Sequence, residues 1–183
     1  MKFCSACASP VSLSIPKGDN RERYCCDNCG AIHYQNPNMV LGTIPVFEDR
    51  VLLCKRAIEP RLGWWTLPAG FMENNETVAQ GAARETHEEA GIEFELGDVF
   101  SILSVPHVGQ VHLFYLAQMT SDKIDPGPET LEAQLFSEQD IPWDDIAFHT
   151  VAQSLRWFFE DRKANRFQMH SGDIHYKGHR RSE

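Results

Sequence analysis

Three glutamates spaced i, i+3 and i+4 on one short helix constrain this chain more than any other feature. They are Glu85, Glu88 and Glu89, inside the run TVAQGAARETHEEAG from Thr77 to Gly91. Thr77 followed by Gln80 is the start of a capping box, each side chain satisfying a free backbone N–H of the other's residue. The interior consists of good helix formers, and Gly91 suits the left-handed residue just past a helix end. The three carboxylates then share a face and repel one another. A hard divalent cation resolves that conflict, because Mg²⁺ takes oxygen ligands and also binds phosphates. Val78, Ala82 and the methyl of Thr86 form the opposite, core-facing stripe. Gly81 lowers helix propensity by roughly 1 kcal/mol against Ala, which points to close packing there.

Taken alone, an acidic cluster of this kind is most often a solvated helix face. The residues around it reverse that reading. Gly70, Glu76, Arg84, Glu85, Glu88, Glu89, Gly91 and Ile92 together resemble the Nudix box, G-x5-E-x7-R-E-U-x-E-E-x-G-U with U aliphatic. The one departure is Thr86, where an aliphatic residue is usual. The resemblance implies an α/β protein, the Nudix α/β/α sandwich with a mixed sheet. It also implies hydrolysis of a nucleoside diphosphate linked to another group, with Mg²⁺ or Mn²⁺ as cofactor. On this reading Glu85, Glu88 and Glu89 hold metal, Gly70 lets its carbonyl reach one, and the Glu76–Arg84 pair braces the loop against the helix. Bound metals would clamp the diphosphate and lower the pKa of a coordinated water. The proton acceptor is left between Glu85 and a loop acid, Glu129 or Glu132.

A second motif is independent of the first. Cys4-x2-Cys7 and Cys26-x2-Cys29 are separated by eighteen residues, the spacing of a zinc ribbon. Four thiolates make a closed tetrahedral Zn²⁺ site with no position for water, hence a structural one. About thirty-five residues have too little core to fold alone and need such a staple. Cys25 competes with Cys26, but only Cys26 gives the x2 spacing. Cys54, inside Arg50–Arg56, reads as a small core residue. The ribbon is assigned to residues 1–35, the hydrolase domain to 36–164 and a polar tail, partly disordered, to 165–183. Packing on the hydrolase domain, building a dimer interface and touching ligand all remain open as roles for the ribbon. A homodimer is expected.

Composition narrows the partners. A formal charge of −9 argues against nonspecific binding to nucleic acid, which works by neutralising phosphates. No apolar run approaches the ~20 residues needed to cross a bilayer, and MKFCSACASP has no signal-peptide core. A reducing, cytoplasmic location is expected, which also accounts for the unpaired cysteines. Met39–Phe47 and Arg50–Arg56 read as a hairpin turning at Glu48-Asp49. Ile92–Pro106 and Gln110–Met119 read as two more strands, and Leu131–Phe136 as another. Phe148, Val151, Ala152, Leu155, Phe158 and Phe159 mark an amphipathic helix over Ala147–Lys163.

Resemblance also bears on substrate. The ribbon, LLCKR, WWTLPAGFME and PGPETLEAQLF, over roughly residues 3–163, are similar to a Nudix subgroup that includes FAD and ADP-ribose diphosphatases. AMP would then be a product. Zinc-bearing NADH diphosphatases are the nearest competitor, but their Ser-Gln-Pro-Trp-Pro-Phe-Pro signature is absent. Pro106 is of the kind found in ADP-ribose hydrolases. Arg56, Trp65 and Phe71, with Arg84 and Glu76, are the expected substrate-side residues; either Trp64 or Trp65 is core, and either could stack on a base. Of Phe114 and Tyr115, one faces the core and the other a ligand or partner. Hydrolysis of a nucleotide cap would want a basic RNA track, offered only around Lys177–Arg181. A non-catalytic ligand sensor with the ribbon as adaptor is the alternative of another class. Such a protein would be expected to lose some box carboxylates, and this one keeps them all.

Overall fold

In the computed structural model, which describes residues 1–175, two like turns build the N-terminal unit, Met1–Pro37. The Cys4 N–H donates to Ser9 O (2.8 Å) and the Ala8 N–H to Cys4 O (2.9 Å). The second turn repeats this, with Cys26 N–H to Ala31 O (2.9 Å) and Gly30 N–H to Cys26 O (2.8 Å). Each turn ends in the left-handed region, at Ala8 (φ 59) and Gly30 (φ 73). Three short antiparallel strands hold the turns: β1 Ser12–Ser14, β2 Arg23–Cys25 and β3 Ile32–His33.

The second unit, Asn38–Glu183, carries a mixed sheet with a helix on each face. In chain order its elements are β4 Asn38–Phe47, β5 Arg50–Arg56, β6 Trp65–Thr66, β7 Ala69–Phe71 and α1 Val78–Ala90. There follow β8 Phe94–Val105, β9 Gln110–Met119, β10 Thr130–Phe136, α2 His149–Ala164 and β11 His170–Asp173. The sheet runs β10-β5-β4-β9-β8-β11, with β6 beside β5 and β7 beside β4. The β4–β9 and β8–β11 pairs are parallel and the rest antiparallel. This is the expected sandwich. Among the described residues no helix is long and apolar enough to cross a membrane.

Strand alternation feeds both helices. On β5, Val51 and Leu53 join a core with Val151, Leu155, Phe158 and Phe159 of α2. Leu52 and Cys54 point the other way, to Ala90 of α1, Ile92 and Met119. Leu41 on β4 meets Ala82 of α1. Burying each large apolar side chain contributes about 1.5–3 kcal/mol, so the two helices are fixed mainly by these stripes. Thr86 is fully buried, and its hydroxyl donates to Ala82 O (2.8 Å). Its oxygen must then accept from Thr43 Oγ1 of β4 (2.7 Å). A polar residue replaces the usual aliphatic one at no cost in unpaired groups.

The segment expected to be a tail from residue 165 departs from that reading. Its described part forms β11, which pairs His170 to Ser101 and Asp173 to Ser104 of β8. Buried Asp161 accepts from the Gln168 N–H (3.0 Å) and from His170 Nε2 (2.9 Å), and the His170 ring stacks on Trp157 at 4.8 Å. Polar anchoring holds the strand, so no hydrophobic alternation announces it. The basic residues around Lys177–Arg181 lie outside the described residues.

Candidate active site

The capping box forms as read: Gln80 N–H donates to Thr77 Oγ1 (3.2 Å) and Thr77 N–H to Gln80 Oε1 (2.8 Å). Gly91 closes α1 at φ 58. With both ends fixed, Arg84 becomes the strut between helix and loop. It grips Glu76 with two N–H···O bonds (3.0 and 2.9 Å), and donates to Phe71 O (3.1 Å), Glu85 (2.7 Å) and Glu88 (3.0 Å). The Arg84 guanidinium, with help from the Glu73 N–H, lowers the Glu76 carboxyl to about 2. Expected on the substrate side, Glu76 instead lies outside the cleft lining and acts wholly as a brace; Arg84 does both.

The three box carboxylates line one cleft but sit in unlike surroundings. Glu88 is exposed, Glu85 is half-buried and Glu89 is only 8% exposed. Burial raises Glu85. Glu89 is raised to about 7, first by burial and then by repulsion from Glu85 and Glu129, against the Ala69 N–H bond (3.0 Å) and Arg56. A Cβ on Gly70 would fall 2.3 Å from Glu85 Oε2, so that backbone lies directly against the carboxylate. Hard oxygen donors on one cleft wall are the chemistry a divalent cation takes, although among the described residues only the four cysteines gather their ligand atoms closely enough to hold an ion as they stand. Glu85, Glu88, Glu89 and the Gly70 carbonyl are the groups that would hold the divalent cation.

The loop before β10 adds a fourth acid. Asp125 N–H donates to Ala90 O (3.1 Å), and a Cβ on Gly127 would fall 2.0 Å from Glu88 O. The loop therefore packs against the end of α1 and delivers Glu129 to the cleft, near enough to repel Glu85 and Glu89. Glu132, expected beside it, is not brought there. Past an irregularity in register between Thr130 and Glu132, it pairs with Lys55 of β5, carboxylate to Nζ 3.5 Å, outside the cleft lining. Glu129 ends the turn before β10, whereas Glu132 is carried along β10 beside β5.

The cleft holds about 1260 Å³, larger than the usual span for drug-sized ligands. Arg56 and Phe71, expected on the substrate side, both line it. Arg56 donates from Nε to Pro60 O (2.8 Å), and its guanidinium lies 5.2 Å from the Phe148 ring. Trp65, expected on the substrate side, is instead core: it is 8% exposed and packs edge-on to Phe136 at 4.9 Å. Trp64 lines the cleft instead, with the Arg61 guanidinium 4.6 Å from its ring. Neighbours in extended chain face opposite ways, and the WW pair alone gave no sign of which was inward. Phe114 and Tyr115 are both buried: Phe114, bordering the cleft, packs in the core with α2, and Tyr115 packs with Leu41 and Ala82. Gln110, His112, Thr150, Trp143 and Arg156 also line it and were not anticipated. Only the shared parity of residues 110, 112 and 114 on β9 hinted at any of them.

In the N-terminal unit the sulfurs of Cys4, Cys7, Cys26 and Cys29 lie within 4.8 Å of one another. Cys4–Cys29 and Cys7–Cys26 are 3.6 and 3.5 Å apart. Tetrahedral Zn–S bonds of ~2.3 Å demand sulfur separations of ~3.8 Å, so the four fit the ion. The Ala6 N–H (3.4 Å) and His33 Nε2 (3.3 Å) approach Cys4 Sγ, and Asn28 Nδ2 approaches Cys7 Sγ (3.6 Å). Bonds from the Ser9 side chain and backbone, then Asn28, lower Cys7 to about 5. The Cys25 thiol turns away, to Ser14 O (3.9 Å). Cys54 is buried, and burial pushes its thiol up.

Comparison with known proteins agrees in both units. Residues 2–35 match a family model described as Nudix N-terminal, a zinc ribbon, and residues 38–158 match one described as NUDIX domain. The crystal structure of a NUDIX hydrolase from Nitrosomonas europaea is 50% identical, covering 95% of this chain and 99% of that one at a TM-score of 0.91. The NAD-capped RNA hydrolase NudC of Stutzerimonas stutzeri is 30% identical over 77% of this chain and 50% of that protein. The ADP-ribose pyrophosphatase of Methanocaldococcus jannaschii is 27% identical over 68% and 76%. This chain spans about half the length of the NudC relatives it matches.

Proposed function

The chain belongs to the Nudix family, and from that premise we propose that it hydrolyses the diphosphate bond of FAD or ADP-ribose, releasing AMP. The observation that carries this reading is the carboxylate cluster of Glu85, Glu88 and Glu89, with Gly70 against it and Glu129 facing it, in a cleft roomy enough for a dinucleotide. Bound Mg²⁺ or Mn²⁺ supplies charge neutralisation for the diphosphate and a more acidic water. The chain's own residues do the rest. Arg84 holds Glu85 and Glu88 in register, and Arg56 offers its guanidinium to phosphate. A water oxygen forms the new bond to one phosphorus; the bridging oxygen leaves with the electron pair as the second monophosphate. With Glu132 turned away and Glu85 held by Arg84, Glu129 is the better-placed proton acceptor. The zinc ribbon, a homodimeric state and a cytoplasmic setting belong to the same reading.

The test is a substrate panel of FAD, ADP-ribose, NADH and NAD-capped RNA with Mg²⁺ or Mn²⁺. FAD and ADP-ribose should be cleaved fastest, with AMP as product. The NudC relatives, named as NAD-capped RNA hydrolases, favour a second reading in which NADH or NAD-capped RNA is the substrate. NADH hydrolysed about tenfold more efficiently than both FAD and ADP-ribose would establish it, since apolar-pocket discrimination spans ~10–200-fold.

A further inference from the structure

On the α2 side of the sheet, three cleft residues form one hydrogen-bonded line. Thr150 Oγ1 lies 2.9 Å from His112 Nδ1, and His112 Nε2 lies 3.0 Å from Gln110 Oε1. All three line the cleft. The Gln110 oxygen can only accept, so Nε2 must carry the ring proton. A neutral ring then leaves Nδ1 as an acceptor, and the Thr150 hydroxyl donates to it. The direction of the line is thereby set from end to end. Its free end is the Gln110 amide NH₂, which makes no hydrogen bond among the described residues. Burial lowers His112 to about 4, which keeps the ring neutral at physiological pH.

A neutral donor pair held this way suits a carbonyl or ring nitrogen. The diphosphate, being charged, belongs with the carboxylates that would hold metal and with Arg56. We propose that Gln110 is a specificity-determining residue whose amide N–H groups read a ring-nitrogen acceptor of the substrate's adenine. His112 and Thr150 act as positioning residues, fixing which way the amide faces. The inference rests on the functional reading above, because adenine is the base that FAD and ADP-ribose share.

The experiment measures equilibrium binding to the full chain in metal-free buffer, where nothing turns over. The ligands are ADP-ribose, FAD and the 1-deaza, 3-deaza and 7-deaza analogues of ADP-ribose, each lacking one ring acceptor. One analogue should bind the wild-type protein about 5- to 10-fold more weakly than ADP-ribose, the worth of one neutral hydrogen bond. Gln110→Leu should bind that analogue and ADP-ribose alike. Thr150→Val should shrink the discrimination, and Thr150→Ser, which keeps the hydroxyl, should restore it. Nitrogen-15 NMR of the wild-type protein should show His112 protonated on Nε2. Discrimination that survives in Gln110→Leu overturns the proposal, as does a Thr150→Ser protein that behaves like Thr150→Val. ADP-ribose binding with no analogue penalty overturns this inference alone. Failure of wild-type protein to bind either ADP-ribose or FAD overturns the functional reading as well.

Discussion

Glu88 and Glu89 are neighbours in sequence, yet the first is exposed and the second buried against the Ala69 N–H. Replacing either by Gln should lower turnover on the order of 10²-fold or more if both hold metal. Thermal unfolding should hardly move for Glu88→Gln, because nothing buried is lost. Steady-state kinetics at saturating Mg²⁺ checks the first expectation and calorimetry the second. Gly70 makes a sharper case. A Cβ there meets the flexible end of Glu85 and not backbone, so Gly70→Ala should cost little stability while displacing the Glu85 carboxylate. The expected signature is a fall in kcat with a nearly unchanged Tm. His112 governs a pH effect. Its folded pKa of about 4 lies below its ordinary 6.5. The unfolded chain therefore takes up a proton first as pH falls from 6.5 to 4. The stability His112 confers is complete above pH 6.5 and lost across that window, on the order of 3 kcal/mol. Urea unfolding of wild type and His112→Leu at a series of pH values should show the wild type losing more.

At the scale of elements, α1 and the loop 125–129 work as one part. The helix places three carboxylates, and the loop can deliver Glu129 only because a residue without Cβ passes over Glu88 O. Gly127→Ala should push the loop off the helix, costing on the order of 1–3 kcal/mol and lowering kcat together. Parallel losses in Tm and rate would check that coupling; a stability loss with full activity would break it. The C-terminal strand is the other element with a distinct anchor. Asp161→Ala should leave the Gln168 N–H and His170 without their acceptor, a loss of about 1–3 kcal/mol. Hydrogen exchange should then rise at residues 170–174, where β11 pairs with β8.

At the scale of the whole molecule, stability has two sources. The second unit is held by apolar stripes on both faces of its sheet, whereas the first has exposed Phe3, Leu13 and Ile15 and four clustered thiols. Chelation should therefore loosen residues 1–37 while residues 38–175 stay folded. NMR of the chelated protein should show signals of the first unit collapsing toward random-coil positions and those of the second unmoved.

How much was legible beforehand follows the range of the forces involved. The box helix with both its caps, the hairpin at Glu48-Asp49, the long strands and the four sulfurs were readable, because period, capping chemistry and ligand spacing are local. What the sequence left open were choices of face in extended segments and turns. Trp64 over Trp65 in the cleft turns on which way an extended backbone presents neighbouring side chains, and Glu129 over Glu132 beside the box on which of them ends the turn before β10. That was decided by pairing with β5 and by the loop packed on α1. The strand β11 had no apolar pattern to betray it, since its anchor is a buried carboxylate from another element. Gln110, His112 and Thr150 lie up to forty residues apart, and only the closing of α2 over the sheet joins them into one line of hydrogen bonds.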